Sequence, residues 1–352
     1  MSLIDIKKIF LQEKAKQYPT TYKVILQNPQ AEIVPVKSHW NIPELNGNQE
    51  LVKSWNKVKR EYLVLGVLSS MRFQENGRST DYISPSFANG CSMACTYCYV
   101  ARRKGYANPI SIFVNYEKIL QSITNHAAKL GDKQPNQCDP VYWTYDIGCN
   151  NDVSVDALIS DIPHEIISAF KDIPNAKASF ATKYVNYDML NYDPQKKTRI
   201  RFSLMPSKIA KLVDVRTSSI ADRIQAIKPF YEAGYEVHLN FSPVIVYDGW
   251  LQDYKLLFEE LVDILANSDD LKNQLKAEVI FLTHNKDLHQ LNEVWHPKGE
   301  NILWRPDLQE DKVSTYGGHN LRYKWYNKKR YISDFESLLK KYMPYMQVRY
   351  IF

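Results

Sequence analysis

Strand-like and helix-like segments alternate through the middle of the chain. Short apolar runs predict strands at 141–145, 178–181, 199–204, 237–246 and 278–282. Apolar residues at helical spacing predict a short helix at 4–16, near the N-terminus, and further helices at 114–130, 153–170, 221–233 and 252–265. Strands joined by helices of this length form right-handed crossovers and a parallel sheet. We therefore predict an α/β fold whose parallel sheet could form a full or a partial barrel, with the active site at the C-terminal ends of the strands.

The composition is that of a globular protein with room for a large core. Of 352 residues, 44% are apolar and 24% are charged, and the net charge of +6 permits but does not require a polyanionic partner. The first residues lack the apolar stretch of a secretory signal, and no run reaches the roughly 18 apolar residues that span a bilayer. We expect a cytoplasmic protein with no membrane partner.

Three of the five cysteines lie within eight residues, as Cys91, Cys95 and Cys98 in a C-x3-C-x2-C pattern. A metal site clusters cysteines in this way, whereas a disulfide framework spreads them out. Three thiolates can each bind one iron of a [4Fe-4S] cubane and leave the fourth iron open, which is what chelation of S-adenosyl-L-methionine (SAM) requires. A zinc site would need a fourth Cys or His, and none follows in the next 27 residues. The alternatives are structural zinc or buried cysteines, and we favour a radical SAM site.

Several further blocks occur in a recognisable order from residue 38 to the end of the chain. They are SHWNIP, YLVLGV, FANGCSMACTYCYV, CNND, ATKY, KTRIRFSL, RIQAIKPFYEAGY, SPVIVYDGW and the tail from RYKWYNKKRY to QVRYIF. With these blocks the chain resembles the spore photoproduct lyase family of radical SAM enzymes. The resemblance implies a partial (β/α)6-type parallel barrel of the radical SAM kind. It also implies a carbon–carbon lyase that repairs DNA by reverting a methylene-bridged thymine dimer to two thymines. In that reaction a 5′-deoxyadenosyl radical removes a hydrogen atom, and a cysteine returns one.

The resemblance also assigns roles to individual residues. It implies that Cys149 is the hydrogen donor, and the position of Cys149 after the strand at 141–145 fits the catalytic end of a parallel barrel. A small buried cysteine is the alternative. Cys138 precedes the same strand, and we interpret it as structural. The remaining implied residues are the hydrogen-relay pair Tyr97 and Tyr99, and the SAM contacts Asn151, Lys183 and Ser203. Asn151 replaces a serine of the family.

A thymine dimer must leave the duplex to reach such a site. The protein therefore needs side chains that contact the DNA phosphates and an element that inserts beside the lesion. Basic clusters occur at 102–104, at 196–199 and at 324–330, where the last is interleaved with aromatic residues. For each cluster the alternative is an ordinary solvent-exposed surface that binds no DNA. The family inserts a β-hairpin beside the lesion, for which residues 314–323 with Gly317-Gly318 are the candidate. The candidate DNA contacts are Tyr316, Arg322, Lys324 and Arg330. Thr315 replaces a usual arginine, and Ala94 replaces a common histidine.

We expect three regions along the chain. Residues 1–81 would form an α/β region packed on the barrel, residues 82–305 the barrel, and residues 306–352 a hairpin, helix and strand that contact DNA. The expected partners are damaged DNA and an electron donor such as flavodoxin or ferredoxin, with the chain itself a monomer. Two other functions remain open: a radical SAM enzyme acting on another lesion or on RNA, and a non-enzymatic metal-containing nucleic-acid-binding protein.

Overall fold

The computed structural model describes residues 2–45, 52–98, 100, 109–313 and 319–352. The chain divides into two compact units. The first contains residues 1–94, 100–200 and 233–236, and the second contains residues 95–99, 201–232 and 237–352.

The described strands and helices follow one another along both units. The strands are β1 Lys8–Gln12, β2 Glu32–Val36, β3 Tyr62–Gly66, β4 Gln74–Glu75, β5 Tyr82–Ile83, β6 Ala88–Asn89, β7 Ile110–Phe113, β8 Trp143–Asp146, β9 Ala176–Thr182, β10 Thr198–Ser203, β11 Glu236–Val244, β12 Lys276–Phe281, β13 Thr283–Asn285, β14 Gln309–Val313, β15 His319–Tyr323 and β16 Gln347–Ile351. The α-helices are α1 Pro19–Gln27, α2 Val52–Glu61, α3 Tyr116–Leu130, α4 Val153–Asp156, α5 Ile162–Phe170, α6 Ser207–Val213, α7 Ile220–Gln225, α8 Ile227–Glu232, α9 Trp250–Leu265, α10 Asp269–Gln274, α11 Lys286–Trp295, α12 Pro297–Leu303 and α13 Trp325–Tyr342. No helix in these ranges is long and apolar enough to cross a membrane.

Two groups of strands organise the first unit. One sheet has the order β2-β1-β3-β7-β6, and a second series runs β4-β5-β8-β9 to the start of β10. Strands β5, β8 and β9 pair in parallel. Each of β8 and β9 is followed by helix or loop segments that return the chain to the same edge, so their C-terminal ends lie side by side.

The second unit contains the end of β10 and the strands β11, β12 and β16, with β11–β12 and β12–β16 parallel. A separate antiparallel sheet has the order β13-β15-β14. Aromatic side chains of β11, α9 and α13 pack edge to face, with ring centroids of Phe335 at 5.1 Å from Tyr254 and 5.6 Å from both Phe241 and Phe258. This cluster holds α13 against the sheet.

The parallel strands with intervening helices confirm the α/β prediction, but three helix predictions were wrong. Residues 4–16 were expected to be helical, yet they contain β1, which lies between β2 and β3 with Ile9 and Phe10 fully buried. A run buried on both faces forms a central strand rather than an amphipathic helix. The helices expected at 153–170 and 221–233 are each two shorter helices. Pro163 lies in the first turn of α5, and Pro229 lacks the N–H that a continuous helix would need.

Candidate active site

The loop of the first cluster cysteine is held next to the loop that follows β8. Both loops belong to the first unit. Gly90 N donates to Asn150 O at 2.9 Å, and Gly90 and Asn151 form an isolated parallel bridge. Gly90 has φ 98°, a conformation that favours glycine. Cys91 follows directly, and its Sγ accepts from Met93 N at 3.4 Å.

Cys149 lies in the β8 loop between two anchored residues. On one side, Gly148 N donates to Asp146 Oδ1 at 2.9 Å, and a Cβ on Gly148 would lie 2.9 Å from Phe180 Cβ. On the other side, Asn150 Nδ2 donates to Ser86 Oγ at 3.4 Å while its carbonyl receives Gly90 N. The partly exposed Cys149 therefore occupies a fixed loop beside the Gly90–Cys91 segment.

A buried polar group follows this loop. Asn151 Nδ2 donates to Asp156 Oδ2 at 2.5 Å, and burial raises the pKa of Asp156 well above its ordinary value. Asp152 caps α4 and accepts from Thr182 Oγ1 at 2.8 Å and from Lys183 N at 3.0 Å. These bonds bring the predicted residues Asn151 and Lys183 to the same region of the first unit.

Three oxygen atoms of this group are buried without a hydrogen-bond partner among the described residues. They are Asn151 Oδ1, Ser154 Oγ and Asp156 Oδ1. Buried polar atoms are nearly always paired, so unsatisfied ones mark a place where a ligand or water completes the bonding. The arrangement fits a polar cosubstrate bound beside Asn151.

The other two cluster cysteines belong to the second unit, where a turn joins them. Cys98 N donates to Cys95 O at 3.1 Å, and Thr96 N donates to Val213 O at 2.9 Å. The Tyr97 hydroxyl donates to Asp214 Oδ1. Burial, followed by the negative charge of Asp214, raises the pKa of Tyr97 well above its ordinary value, so the phenol keeps its hydrogen.

Ser203 ends β10 in the same unit. Its Oγ accepts from Asn240 Nδ2 at 3.3 Å, and its carbonyl accepts from Arg223 Nη1 at 2.8 Å. Arg223 also pairs with Asp214, so one guanidinium connects Ser203 with the residue that holds Tyr97.

Three thiols form the donor set of the expected cluster. All five cysteines lie in the described part of the chain and none is disulfide-bonded, while Cys91, Cys95 and Cys98 are each partly exposed. Among the described residues, no three His, Cys, Asp or Glu side chains surround a single metal-ion position. A cubane differs from such a site because each thiolate binds a separate iron, and soft thiolates are the preferred ligands of iron–sulfur clusters. The chemistry of the three thiols fits the cluster.

The predicted DNA contacts have different surroundings. Arg322 Nε lies 3.0 Å from Glu310 Oε1 across the β14–β15 pair, and Lys324 Nζ donates to Asp307 O at 2.8 Å. Arg330 lies on α13, with its guanidinium carbon 5.3 Å from the centre of the Tyr331 ring. Strands β14 and β15 pair antiparallel with Val313 opposite His319, so they flank the predicted hairpin turn. Tyr316 and Thr315, together with Tyr99 and the basic cluster at 102–104, lie outside the described residues.

The predicted DNA role of the cluster at 196–199 is wrong for two of its residues. Lys197 is buried and donates to Ile173 O at 2.7 Å. Arg199 is 1% exposed and pairs with Asp139 at 2.9 Å and with Glu236 at 2.8 Å. These two side chains bind carboxylates and backbone carbonyls within the protein, so they are not available to contact DNA phosphates. Cys138 is also buried, with its Sγ 3.4 Å from Arg78 O, as expected of a structural residue.

Sequence reasoning missed three residues that support the site: Asp156, Asp214 and Arg223. The first could have been noticed, because it lies four residues after Asp152 on a predicted helix and would share its face. Asp214 lies in a segment with no motif, and Arg223 begins the block RIQAIKPFYEAGY, which assigns it no role. Only the fold brings these two residues to Tyr97 and Ser203.

The parallel strands, the three-cysteine loop and the fixed loop after β8 define a radical SAM enzyme with a partial barrel. The family model for spore photoproduct lyase matches residues 5–352. The chain therefore belongs to the spore photoproduct lyase family, and it is a radical SAM lyase.

Relatives and solved structures agree with this assignment. Spore photoproduct lyase of Bacillus subtilis (strain 168) is 27% identical over 321 residues, which cover 90% of this chain and 86% of that protein. Spore photoproduct lyase of Geobacillus sp. (strain Y412MC61) is also 27% identical, over 98% of both chains. A structure of spore photoproduct lyase complexed with dinucleoside spore photoproduct matches with a TM-score of 0.88 at 23% identity, over 100% of both chains. A variant of that enzyme with bound AdoMet and the dinucleoside matches with the same TM-score at 22% identity. The predicted partial barrel is confirmed.

Proposed function

We propose that this chain reverts the spore photoproduct in DNA to two thymines and that Cys149 supplies the hydrogen atom that completes the repair. The observation that carries the proposal is the pair of contacts from Gly90 to Asn150 and Asn151, which join the loop of Cys91 to the loop of Cys149. A hydrogen donor must lie near the place where the radical forms. The contacts of Gly90 support this role for Cys149 because they hold its loop next to the loop that carries Cys91.

The cofactor proposal follows from the donor sets. Cys91, Cys95 and Cys98 would hold a [4Fe-4S] cluster, and Asn151, Lys183 and Ser203 would contact SAM. When bound, the cluster would supply the electron that cleaves SAM, and the resulting 5′-deoxyadenosyl radical would remove a hydrogen atom from the saturated ring of the methylene-bridged dimer, so that the C–C bond of the bridge breaks and the ring double bond re-forms. The unpartnered Asn151 Oδ1 supports a polar ligand at this place, although the chain has an asparagine where the family has a serine.

Cys149 then returns a hydrogen atom to the thymine-derived radical. The S–H bond breaks, a C–H bond forms, and the sulfur keeps one unpaired electron. Tyr97 and Tyr99 would relay a hydrogen atom from 5′-deoxyadenosine to the sulfur, which restores the S–H bond of Cys149 and returns the radical to the adenosyl group. For Tyr97 the support is its position between two of the cysteines and the hydrogen bond that its hydroxyl donates to Asp214.

The DNA partner is supported by the basic and aromatic surface at residues 319–330. Trp325 is 59% exposed at the start of α13, and Lys329 Nζ lies 3.7 Å from the centre of its ring. Arg322, Lys324 and Arg330 would contact phosphates there, with Tyr316 at the hairpin, and the region 306–352 would form the DNA-contacting part of the chain. A small electron carrier such as flavodoxin or ferredoxin would reduce the cluster, and the chain would act as a cytoplasmic monomer.

The test is turnover of a synthetic methylene-bridged thymine dinucleotide by anaerobically reconstituted protein with SAM and a reductant. We expect free thymidine products and 5′-deoxyadenosine. Cleavage of SAM without any change in the dinucleotide would instead favour another lesion or RNA as the substrate. This alternative is considered because Asn151 and Thr315 differ from the residues that the family has at these positions. A colourless protein that contains zinc would favour the non-enzymatic alternative.

A further inference from the structure

The second unit contains a fully buried ion pair that touches two parts of the candidate site. Arg223 Nη1 lies 2.9 Å from Asp214 Oδ2, and both side chains are 0% exposed. Asp214 directly follows α6 and Arg223 lies on α7. A buried pair of this kind costs desolvation energy that only good geometry and further hydrogen bonds offset.

The remaining donors of Arg223 are used within the same segment. Nε donates to Ser218 O at 3.0 Å, and Nη2 donates to Thr217 Oγ1 at 2.5 Å. The guanidinium is therefore held in one orientation, and it holds the Asp214 carboxylate in turn. A lysine at this position could not donate all of these hydrogen bonds, because it has a single ammonium group in place of the planar guanidinium.

The first contact of the pair is the turn between Cys95 and Cys98. The Tyr97 hydroxyl donates to Asp214 Oδ1, and Thr96 N donates to the adjoining Val213 O at 2.9 Å. From the opposite side, Asn292 Nδ2 donates to Thr96 O at 2.7 Å. Thr96 and Tyr97, the two residues between the cysteines, are thus each hydrogen-bonded to residues elsewhere in the second unit.

The second contact is the end of β10. Arg223 Nη1 donates to the Ser203 carbonyl at 2.8 Å in addition to its bond with Asp214. The same nitrogen therefore connects the strand end that carries Ser203 with the carboxylate that holds Tyr97.

We infer that Asp214 and Arg223 form a positioning pair that fixes the Cys95–Cys98 turn relative to the SAM-contacting end of β10. The inference rests on the proposed function, in which this turn binds the cluster and Ser203 contacts SAM. In this role the pair acts through its hydrogen bonds to Tyr97 and to the Ser203 carbonyl. Its loss changes the geometry with which the cluster receives SAM rather than the capacity of the cysteines to bind iron.

The experiment compares wild-type protein with Asp214→Asn after anaerobic reconstitution of the full chain. The asparagine keeps the size of the side chain but leaves the Arg223 cation uncompensated. We expect iron content like that of wild type, SAM binding weakened about tenfold or more, and an altered electron paramagnetic resonance signal of the reduced cluster with SAM. The cluster potential should rise, because an uncompensated cation nearby stabilises the added electron. The control Glu232→Gln, an exposed partner of Lys228, should match wild type in all four measurements.

Two results would overturn the inference. One is an Asp214→Asn protein whose SAM affinity and cluster signal equal those of wild type. If Asp214→Asn fails to fold by circular dichroism, Tyr97→Phe removes the bond between the pair and the turn together with the relay hydroxyl. The signal of the reduced cluster with SAM does not depend on the relay, so an unchanged signal in that variant also overturns the inference. Wild-type protein that binds neither iron nor SAM would refute the proposed function, and the inference would fall with it. If wild-type protein binds iron and SAM but the variant has the same SAM affinity and cluster signal, only the positioning pair is refuted.

Discussion

The tight packing of Gly148 makes the Cys149 loop sensitive to a single methyl group. A Cβ at Gly148 would lie 2.9 Å from Phe180 Cβ and 3.1 Å from Val153 Cγ2. Phe180 Cβ is attached directly to the backbone of β9 and cannot rotate away, so the loop itself must move. Reaching ordinary carbon–carbon contact near 3.5–4.0 Å requires a shift on the order of 0.6–1 Å.

Gly148→Ala should therefore affect both stability and the fate of the substrate radical. Overpacking of this kind costs about 1–3 kcal/mol in the free energy of unfolding. A displacement near 1 Å of a reacting group can reduce its rate by about 100-fold. We expect SAM cleavage to continue while hydrogen return by Cys149 slows, so abnormal thymine products accumulate. Denaturant unfolding measures the first effect, and mass spectrometry of the products measures the second.

Gly66→Ala is the matched control for this prediction. Its added Cβ would lie 2.9 Å from His39 Cβ, at the end of β3 in the five-stranded sheet. The stability loss should be similar, but the product ratio should stay that of wild type. An unchanged product ratio in Gly148→Ala, or an equal change in Gly66→Ala, would refute the argument that the packing of Gly148 places the donor.

Four further predictions follow from the proposed site and from the buried charges. Cys149→Ala should cleave SAM and release abnormal thymine products, and normal repair by this variant would remove the donor assignment. Asn151→Ala should weaken SAM binding by about tenfold, the value of one hydrogen bond of ~1.4 kcal/mol, and calorimetry that finds equal affinity would exclude the contact. The double variant Lys324→Ala/Arg330→Ala should reduce the log–log salt slope of DNA binding by about 1.8, and an unchanged slope would contradict these phosphate contacts. Burial and the nearby Lys177 lower the pKa of Lys197 to about 8, from 10.5 in the unfolded chain. The unfolded state then binds more protons between about pH 8 and 10.5, so stability should rise with pH across that window. Lys197→Met should lose this rise in urea titrations, and a variant that keeps it would exclude Lys197 as its source.

The sequence predicted those parts of the fold that depend on local patterns. Strand β8 and helix α3 follow from apolar spacing, and Gly131 ends α3 with φ 64° as a C-cap glycine should. The apolar run in β1 could not be assigned in the same way, because its burial between two strands depends on partners far along the chain. The local spacing of a short apolar run does not separate a buried strand from a helix.

The same limit applies to the site. The three cluster cysteines and Cys149 were predicted from spacing and family resemblance. The DNA role predicted for the basic residues at 197 and 199 was wrong, because charge alone cannot tell a phosphate contact from a buried partner of Asp139 and Glu236. Asp214 and Arg223 could not be predicted either, since their importance arises only where the folded chain joins them to Tyr97 and Ser203.

The most direct test of the account follows the hydrogen atom that completes repair. Wild-type protein, equilibrated in D2O so that its thiols carry deuterium, is given the methylene-bridged thymine dinucleotide, SAM and a reductant, and the thymine product is examined by mass spectrometry. A solvent-exchangeable S–H donor at Cys149 predicts one deuterium in the product methyl group, and Cys149→Ala should lose it. Product without deuterium from the wild type, or with the same deuterium content from the variant, would contradict the assignment of Cys149 as donor.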